Sequence, residues 1–296
     1  MVKFKLLVKH PELSSLAFKD IKSDYLEQVL GIPLKLPNSS KQAFIFSCFA
    51  TSVDGRLCYP DLRSGFAIAK NNLKASNEEQ FADWWNLTLG RTISDAVIVG
   101  SNSLLYEDNS YYVDINIAEL KQVRKSLNKP EHLLHIVITR DINKINFSKE
   151  ILCQDNDLPV LIYCLGKPQQ QIDNFTIKHI DDLANNTSLD NPNTLLKQII
   201  YSDNQLDIKL LINKLYQTGI KTILNESPFY HHELQKLEML NEAWLNTSGV
   251  YIGGNVASLG QNNSSFLANN HPHYSILTLH TLGYNFIYSR YKIDYR

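Results

Sequence analysis

Three short segments combine residue types that bind anions or move protons. Residues 50–56 (ATSVDGR) follow an apolar run and carry one carboxylate, at Asp54. Residues 95–103 (DAVIVGSNS) lead from an apolar stretch into small polar residues whose amides and hydroxyls could hold phosphate oxygens. Residues 225–228 (NESP) place Glu226 just before Ser227 and Pro228, which suit a helix cap and a first helical turn. Asp54 and Glu226 are therefore candidate general acids, although a bound water would serve equally well.

Other familiar chemistries lack their sequence signatures. The chain has no zinc-deaminase motif, no G-x-S-x-G, no P-loop and no G-x-G-x-x-G. His231-His232 and the pair His271 and His273 lack a second ligand pair at metal spacing, so no metal site is predicted. The four cysteines form no C-x-x-C and are expected to be buried free thiols. A dinucleotide must be held by some other loop arrangement, or not at all.

The candidate segments follow apolar runs that predict strands. Strands are expected at residues 43–50, 96–99, 133–139, 160–164 and 222–224, and helices at 77–91, 207–218 and 228–240. Because strands and helices alternate, the sequence predicts a three-layer α/β/α fold with a mostly parallel central sheet, whose strand ends are where ligands bind. Residues 274–281 and 284–293 flank Leu282-Gly283 and predict an antiparallel hairpin at the edge of the sheet.

The first predicted helix has the clearest local signals. Ser76 with Glu79 forms a capping box, and Phe81, Trp84, Trp85 and Leu89 form the expected inner face.

The domain organisation is expected to be simple. Residues 1–41 stand apart as an N-terminal extension, with a short helix around 21–30 and a linker at 33–40, and residues 42–296 form the main domain. The net charge of −1 gives no bulk attraction to nucleic acid or to an anionic membrane. No apolar run has the pattern of a signal peptide or the length of a membrane span, so we expect a cytoplasmic location.

The order of the three segments resembles a known family. The sequence S-x-D-G-R, then D-A-V-I-V-G-S-x-S with an acidic pair at Glu107-Asp108, then E-x-P before a helix ending in L-N-E, is similar to the riboflavin-biosynthesis reductase domain, the C-terminal domain of RibD. That domain is part of the dihydrofolate-reductase-like superfamily. The similarity covers roughly residues 43–255, and the two final strands suit the fold. It implies an NADPH-dependent oxidoreductase similar to 5-amino-6-(5-phosphoribosylamino)uracil reductase.

The resemblance also implies roles for individual positions. The positions implied to contact NADPH are Ala50 and Phe66 at the nicotinamide, Ser103 and Glu107 in the phosphate and ribose loop, Ser227, Pro228, Phe229 and Tyr230 under the pyrophosphate, and Arg140 at the adenosine end. The positions implied to face the substrate are Ser64, Arg91 and Asn225, with Asp54 nearby.

The chain departs from the family mainly on the substrate side. Asn225-Glu226-Ser227 replaces the usual Glu-Gly-Gly or Glu-Ala-Gly, and Cys48 stands where the family often has lysine. These departures bear on the riboflavin intermediate as substrate more than on the fold.

Three functions stay open at the level of sequence. The first is hydride transfer from reduced nicotinamide to a carbonyl or imine carbon of a small heterocyclic or ribosylated substrate. The second is the riboflavin-pathway reductase itself, acting without a fused deaminase. The third is a catalytically silent nucleotide-binding protein of the same fold. A homodimer is also expected, with the aromatic residues of the C-terminal hairpin as one source of an interface: Tyr284, Phe286, Tyr288 and Tyr291.

Overall fold

The computed structural model of the chain describes residues 2–38, 41–101, 104, 113–148, 150–183, 197–260 and 264–295. The strands of these residues are β1 (Lys5–Lys9), β2 (Phe18–Ile21), β3 (Leu34–Pro37), β4 (Phe44–Ser52), β5 (Ala96–Gly100), β6 (Leu134–Thr139), β7 (Val160–Leu165), β8 (Thr176–His179), β9 (Lys197–Ser202), β10 (Thr222–Asn225), β11 (Glu242–Ser248), β12 (His273–Thr281) and β13 (Phe286–Asp294). Their helices are α1 (Asp24–Leu30), α2 (Ala67–Lys70), α3 (Asn77–Ile93), α4 (Ala118–Ser126), α5 (Ile151–Gln154), α6 (Ile208–Gln217) and α7 (Pro228–Lys236).

Eleven of these strands form one sheet in the order β1-β12-β13-β11-β4-β10-β5-β6-β7-β9-β8. The strands from β11 to β8 run parallel to one another, whereas β13 is antiparallel to both β11 and β12. Each central strand sends alternate residues to opposite faces. Phe46 of β4 packs in one apolar core, and Ile45 packs in a second core on the other side of the sheet. Helix α3 covers the first face and α7 covers the second, which confirms the three-layer α/β/α prediction.

Helix α3 begins where the sequence indicates. Ser76 accepts a hydrogen bond from the backbone N–H of Glu79, whose carboxylate accepts one from the Ser76 N–H. The buried face differs in part from the prediction. Trp85 and Leu89 are buried, but Phe81 is 47% exposed and is replaced in the core by residues such as Ala82. The core stripe therefore starts one residue later than the aromatic residues suggest.

The first forty residues contribute to the main sheet. Strand β1 pairs antiparallel with β12, and Phe4 packs against Trp85 in the core. Helix α1 lies within the predicted helical segment and ends at Gly31, whose φ of +73° favours glycine. Residues 34–37, expected to be linker, instead form β3 and pair with β2, so the linker prediction is wrong there. The domain boundary at residue 42 stays a prediction.

The C-terminal hairpin forms as β12 and β13, but it does not lie at the sheet edge because β1 covers β12. Its aromatic residues also divide between core and surface. Phe286 and Tyr288 are buried, at 1% and 4% exposure, so they cannot supply an interface as expected. Tyr284 is fully exposed and Tyr291 is half-buried.

None of the helices in the described ranges has the length and apolarity needed to cross a bilayer.

Candidate functional site

A large cleft lies at the carboxyl ends of β4, β5, β6 and β10, with a volume of about 870 Å³. In an open parallel sheet this is the edge at which ligands bind, and the volume suits a small molecule or a cofactor. Nine of the residues named from the sequence line it: Ala50, Phe66, Arg91, Arg140, Glu226, Ser227, Pro228, Phe229 and Tyr230.

A buried ion pair forms part of the cleft wall. Arg91, from the last turn of α3, donates two hydrogen bonds to the Glu226 carboxylate, at 2.7 and 2.8 Å. The two side chains are only 3% and 9% exposed, and the Arg91 guanidinium also lies 5.1 Å from the centre of the Trp84 ring. Both oxygens of Glu226 are bound by a permanent cation. The structure therefore brings together two residues that the sequence named separately, and it engages both carboxylate oxygens of Glu226 with Arg91.

A second acidic group, which the sequence reasoning missed, also lines the cleft. Asp83 of α3 is 5% exposed and accepts a 2.7 Å hydrogen bond from the amide of Asn246 on β11. Asn86 in turn donates a 2.7 Å bond to the Asn246 carbonyl oxygen, which fixes the orientation of that amide. Burial raises the pKa of Asp83 to about 6, although the bond from Asn246 opposes the shift. Helical spacing could have indicated it, because Asp83, Leu87 and Arg91 are four residues apart and all line the cleft.

Cys48 of β4 lies beside these acidic groups. It is 2% exposed and lines the cleft. Burial, with the nearby charge of Asp83, holds the pKa of its thiol well above the ordinary value. The thiol is therefore neutral and is not a nucleophile. All four cysteines are free and buried, as expected.

Asp54 does not line the cleft. Its carboxylate accepts bonds from the Ser52 hydroxyl at 2.6 Å and from the backbone N–H groups of Ile252 and Gly253 at 3.2 and 2.8 Å. These bonds, with that of Ser52 the largest cause, lower the pKa of Asp54 to about 2. Asp54 therefore ties the turn after β4 to the loop after β11, and this carboxylate is not placed to give a proton to a ligand.

Two expected substrate contacts also lie outside the lining. Ser64 accepts a 3.3 Å hydrogen bond from the backbone N–H of Phe66, while its neighbours Arg63 and Gly65 reach the cleft. Asn225 is fully buried, and its amide donates to Ser47 at 2.9 Å and to the Ser227 carbonyl at 3.0 Å. Asn225 therefore supports the turn that carries the ion pair, from behind the cleft. Ser103 and Glu107 lie outside the described residues.

The start of α7 faces the cleft. Pro228 occupies the first turn, and Ser227 precedes it without making a side-chain cap bond. The backbone N–H groups of a first helical turn have no partner within the helix, so this end can accept an anion. Tyr230, just behind, donates a 3.4 Å hydrogen bond to the carbonyl of Ile138 and is buried. Phe229 is 45% exposed and forms the rim.

Cations lie at the end of β6. Arg140 follows the last residue of that strand, is exposed and lines the cleft together with Lys144. The adjacent Asp141 also lines the cleft, but its carboxylate accepts a 3.1 Å bond from the backbone N–H of Asn143. That bond directs one oxygen of Asp141 to the backbone. Two exposed cations and one carboxylate therefore give this end of the cleft a local excess of positive charge.

Ala50 and Phe66 give the predicted nicotinamide end an apolar surface beside the polar Asp83–Asn246 pair. Ala50 pairs with Asn246 in the β4–β11 ladder, which places it one strand away from the Asp83 hydrogen bond. Phe66 packs edge-on against Trp84, with ring centres 5.1 Å apart.

His231, on the other face of the sheet, packs edge-on against Phe49, and burial lowers its pKa to about 4. This histidine belongs to the core of that face.

Comparison with solved structures identifies the fold. The chain is similar to a pyrimidine reductase-like protein from Corynebacterium diphtheriae, with a TM-score of 0.61 and 16% identity over 86% of this chain and 93% of that one. RibD of Acinetobacter baumannii matches with a TM-score of 0.55 and 16% identity over 86% of this chain and 59% of that one. A deaminase/5-amino-6-(5-phosphoribosylamino)uracil reductase from Thermotoga maritima matches with a TM-score of 0.57 and 11% identity over 86% and 57%.

The protein therefore has the α/β fold of these solved structures, which confirms the fold predicted from the sequence. It spans a little over half the length of the latter two neighbours. No family model matches the sequence, and no curated protein does.

Proposed function

We propose that the protein is an NADPH-dependent reductase of a small heterocyclic or ribosylated substrate, similar to 5-amino-6-(5-phosphoribosylamino)uracil reductase. The observation that carries the proposal is the division of one long cleft into two chemically different ends. Arg140 and Lys144 make one end cationic, the start of α7 lies between, and the other end contains the buried polar side chains of Asp83 and Asn246.

The residues present fit a phosphorylated dinucleotide. The uncapped first turn of α7 suits a pyrophosphate, and a guanidinium such as that of Arg140 gives paired hydrogen bonds to a phosphate on the adenosine ribose. Ala50 and Phe66 supply an apolar surface for the nicotinamide ring. The reduced nicotinamide would supply the hydride, while the chain orients the two rings and excludes water from between them.

The substrate end would hold a molecule by polar contacts rather than by phosphate-binding lysines. Cys48 is neutral, and Arg91 is committed to Glu226, so these two add little free positive charge. Arg63, which also lines the cleft, is the cation nearest in sequence to the expected substrate contact Ser64. We therefore favour a heterocycle recognised through hydrogen bonds, with a ribosyl group extending toward Arg63.

Two measurements test the proposal. NADPH and NADH are titrated against the fluorescence of the tryptophans, since Trp84 packs on Phe66. Consumption of NADPH is then followed by absorbance with a panel of pterins and pyrimidine ribosides that includes 5-amino-6-(5-phosphoribosylamino)uracil. Tight NADPH binding with turnover supports the reductase, and complementation of a strain that lacks the riboflavin-pathway reductase identifies that particular enzyme.

A silent nucleotide-binding protein is the alternative that the closed Arg91–Glu226 pair favours, because both groups are already satisfied without a ligand. NADPH binding without turnover of any panel member would indicate it.

A homodimer is also part of the proposal, with Tyr284 and Tyr291 as the accessible hairpin aromatics. A monomer mass by light scattering at micromolar concentration would contradict the dimer.

A further inference from the structure

Three acidic residues line the cleft, Asp83, Asp141 and Glu226, and the carboxylates of the last two are engaged by other groups. The Glu226 carboxylate accepts two hydrogen bonds from the Arg91 guanidinium, and the Asp141 carboxylate accepts one from the backbone N–H of Asn143. Asp83 differs because its carboxyl accepts a hydrogen bond from a neutral amide, that of Asn246. A carboxyl with a neutral hydrogen-bond donor can hold a proton and release it.

The surroundings of Asp83 fix its carboxyl in place. Asn86, one helical turn further along α3, donates to Asn246, and Asn246 donates to Asp83, each at 2.7 Å. Asn246 is 1% exposed and lies opposite Ala50 in the β4–β11 ladder. A ring placed against Ala50 would therefore lie one strand spacing, ~4.8 Å, from Asn246, the residue that binds the Asp83 carboxyl in the same cleft.

We propose that Asp83 donates the proton that completes the reduction of the substrate. The inference rests on the proposed function. As hydride forms the new C–H bond, the π bond of the substrate C=N or C=O group breaks and its electron pair moves to nitrogen or oxygen. The Asp83 O–H bond breaks, and its proton joins that atom. The substrate is reduced, the nicotinamide is oxidised, and Asp83 is left as a carboxylate that solvent reprotonates. Asn246 and Asn86 are positioning residues.

The environment of Asp83 suits this role. Burial raises its pKa to about 6, so that about one molecule in ten carries the proton at neutral pH. The groups around the carboxyl are Cys48 on β4, Tyr288 on β13 and, further along the cleft, the Arg91–Glu226 pair. Burial holds the pKa values of Cys48 and Tyr288 above their ordinary values, so both stay neutral. The ion pair carries no net charge, which leaves Asp83 as the group that titrates near pH 6.

The test compares Asp83→Asn with a matched control on the same helix, Glu78→Gln, whose side chain is exposed. The substrate is whichever panel member the wild-type protein reduces. We expect wild-type kcat to fall with pH above about 6, and Asp83→Asn to lower kcat by at least about 100-fold and to remove that pH dependence. NADPH affinity, measured by fluorescence, should stay within about twofold, and Glu78→Gln should match wild type.

A second variant tests positioning. The Asn246 bond lowers the pKa of Asp83, so Asn246→Leu should move the falling limb of the pH profile to higher pH. A signal that does not depend on turnover is the carboxylic-acid carbonyl band in infrared difference spectra. It should titrate near pH 6 in the wild type and be missing in Asp83→Asn.

The outcomes separate the two proposals. A normal kcat with an unchanged pH profile in Asp83→Asn overturns the donor role but leaves the proposed reductase function unaffected. The lack of an infrared band that titrates near pH 6 in the wild type has the same meaning. Failure of the wild-type protein to bind NADPH overturns the proposed function itself. Binding without turnover of any panel member removes the donor role along with the reductase.

Discussion

Replacing Asp83 with asparagine should stabilise the fold at neutral pH. The folded protein holds the Asp83 proton up to about pH 6, whereas the unfolded chain loses it near 3.8. Between these two values the folded state binds more protons than the unfolded state, so the stability of the wild type falls as pH rises. At 1.36 kcal/mol per pH unit, the difference between these two pKa values corresponds to about 3 kcal/mol. This is an upper value for the folding free energy that is lost when Asp83 ionises.

The assay is urea unfolding of wild type, Asp83→Asn and the exposed control Glu78→Gln, from about pH 4 to about pH 8. Asparagine keeps an oxygen that can accept the Asn246 bond and carries no charge. We expect Asp83→Asn to exceed wild type by about 2–3 kcal/mol at the alkaline end and to converge with it near pH 4. Equal stabilities across the whole range would refute a raised pKa. A variant less stable than wild type at pH 8 would show that the ionised carboxylate supports the fold.

Three further predictions concern the rest of the cleft. Arg140→Ala should weaken NADPH binding by about 1.5–3 kcal/mol and leave NADH nearly unchanged in the fluorescence titration, and equal loss for both cofactors would remove Arg140 from the site. Glu226→Gln should cost about 3–5 kcal/mol in urea unfolding because it leaves the Arg91 charge buried, and Arg91→Met with Glu226→Leu should recover much of that loss. Asp54→Asn should lower the melting temperature at neutral pH, since the stabilisation from a depressed pKa is complete above 3.8 and is lost as pH falls through about 2. A melting temperature equal to wild type at neutral pH would show that the loop tether adds no stability.

Local signals in the sequence predicted local structure well. The Ser76 capping box, the strand that ends in Gly100 and the helix that starts at Pro228 each depend on neighbouring residues, and the structure has all three. Strand β11 was missed because its sequence, EAWLNTS, contains polar residues that pair only with distant partners. Glu242 receives two hydrogen bonds from Arg290, at 2.5 and 2.7 Å, and such a pairing is invisible to periodicity.

The candidate site was predictable to the extent that it follows strand ends. Arg91 and Glu226 were named from different segments, and their ion pair arises because β10 lies between β4 and β5, an order that no local pattern specifies. Asp54 was wrongly assigned to the cleft because a segment distant in sequence binds its carboxylate. A carboxylate in a turn after a buried strand is typical of a ligand contact. Here the backbone N–H groups of the loop after β11 donate to that carboxylate instead. Asp83 stands inside a helix with no motif, and only its spacing from Arg91 connects it with the cleft.

The pairing of β1 with β12 constrains the order in which the sheet can form. Lys5 is opposite Thr281, so the edge of the sheet is completed only when residues far apart in the chain have met. During synthesis β1 leaves the ribosome long before β12, and it has no strand partner until β12 follows. Contacts of such separation close slowly, so this edge should form late and limit the rate of folding. Once paired, β1 becomes the edge of the sheet with Leu7 and Val8 still exposed, so its exposed Lys5 and Lys9 are the groups that oppose pairing with other chains.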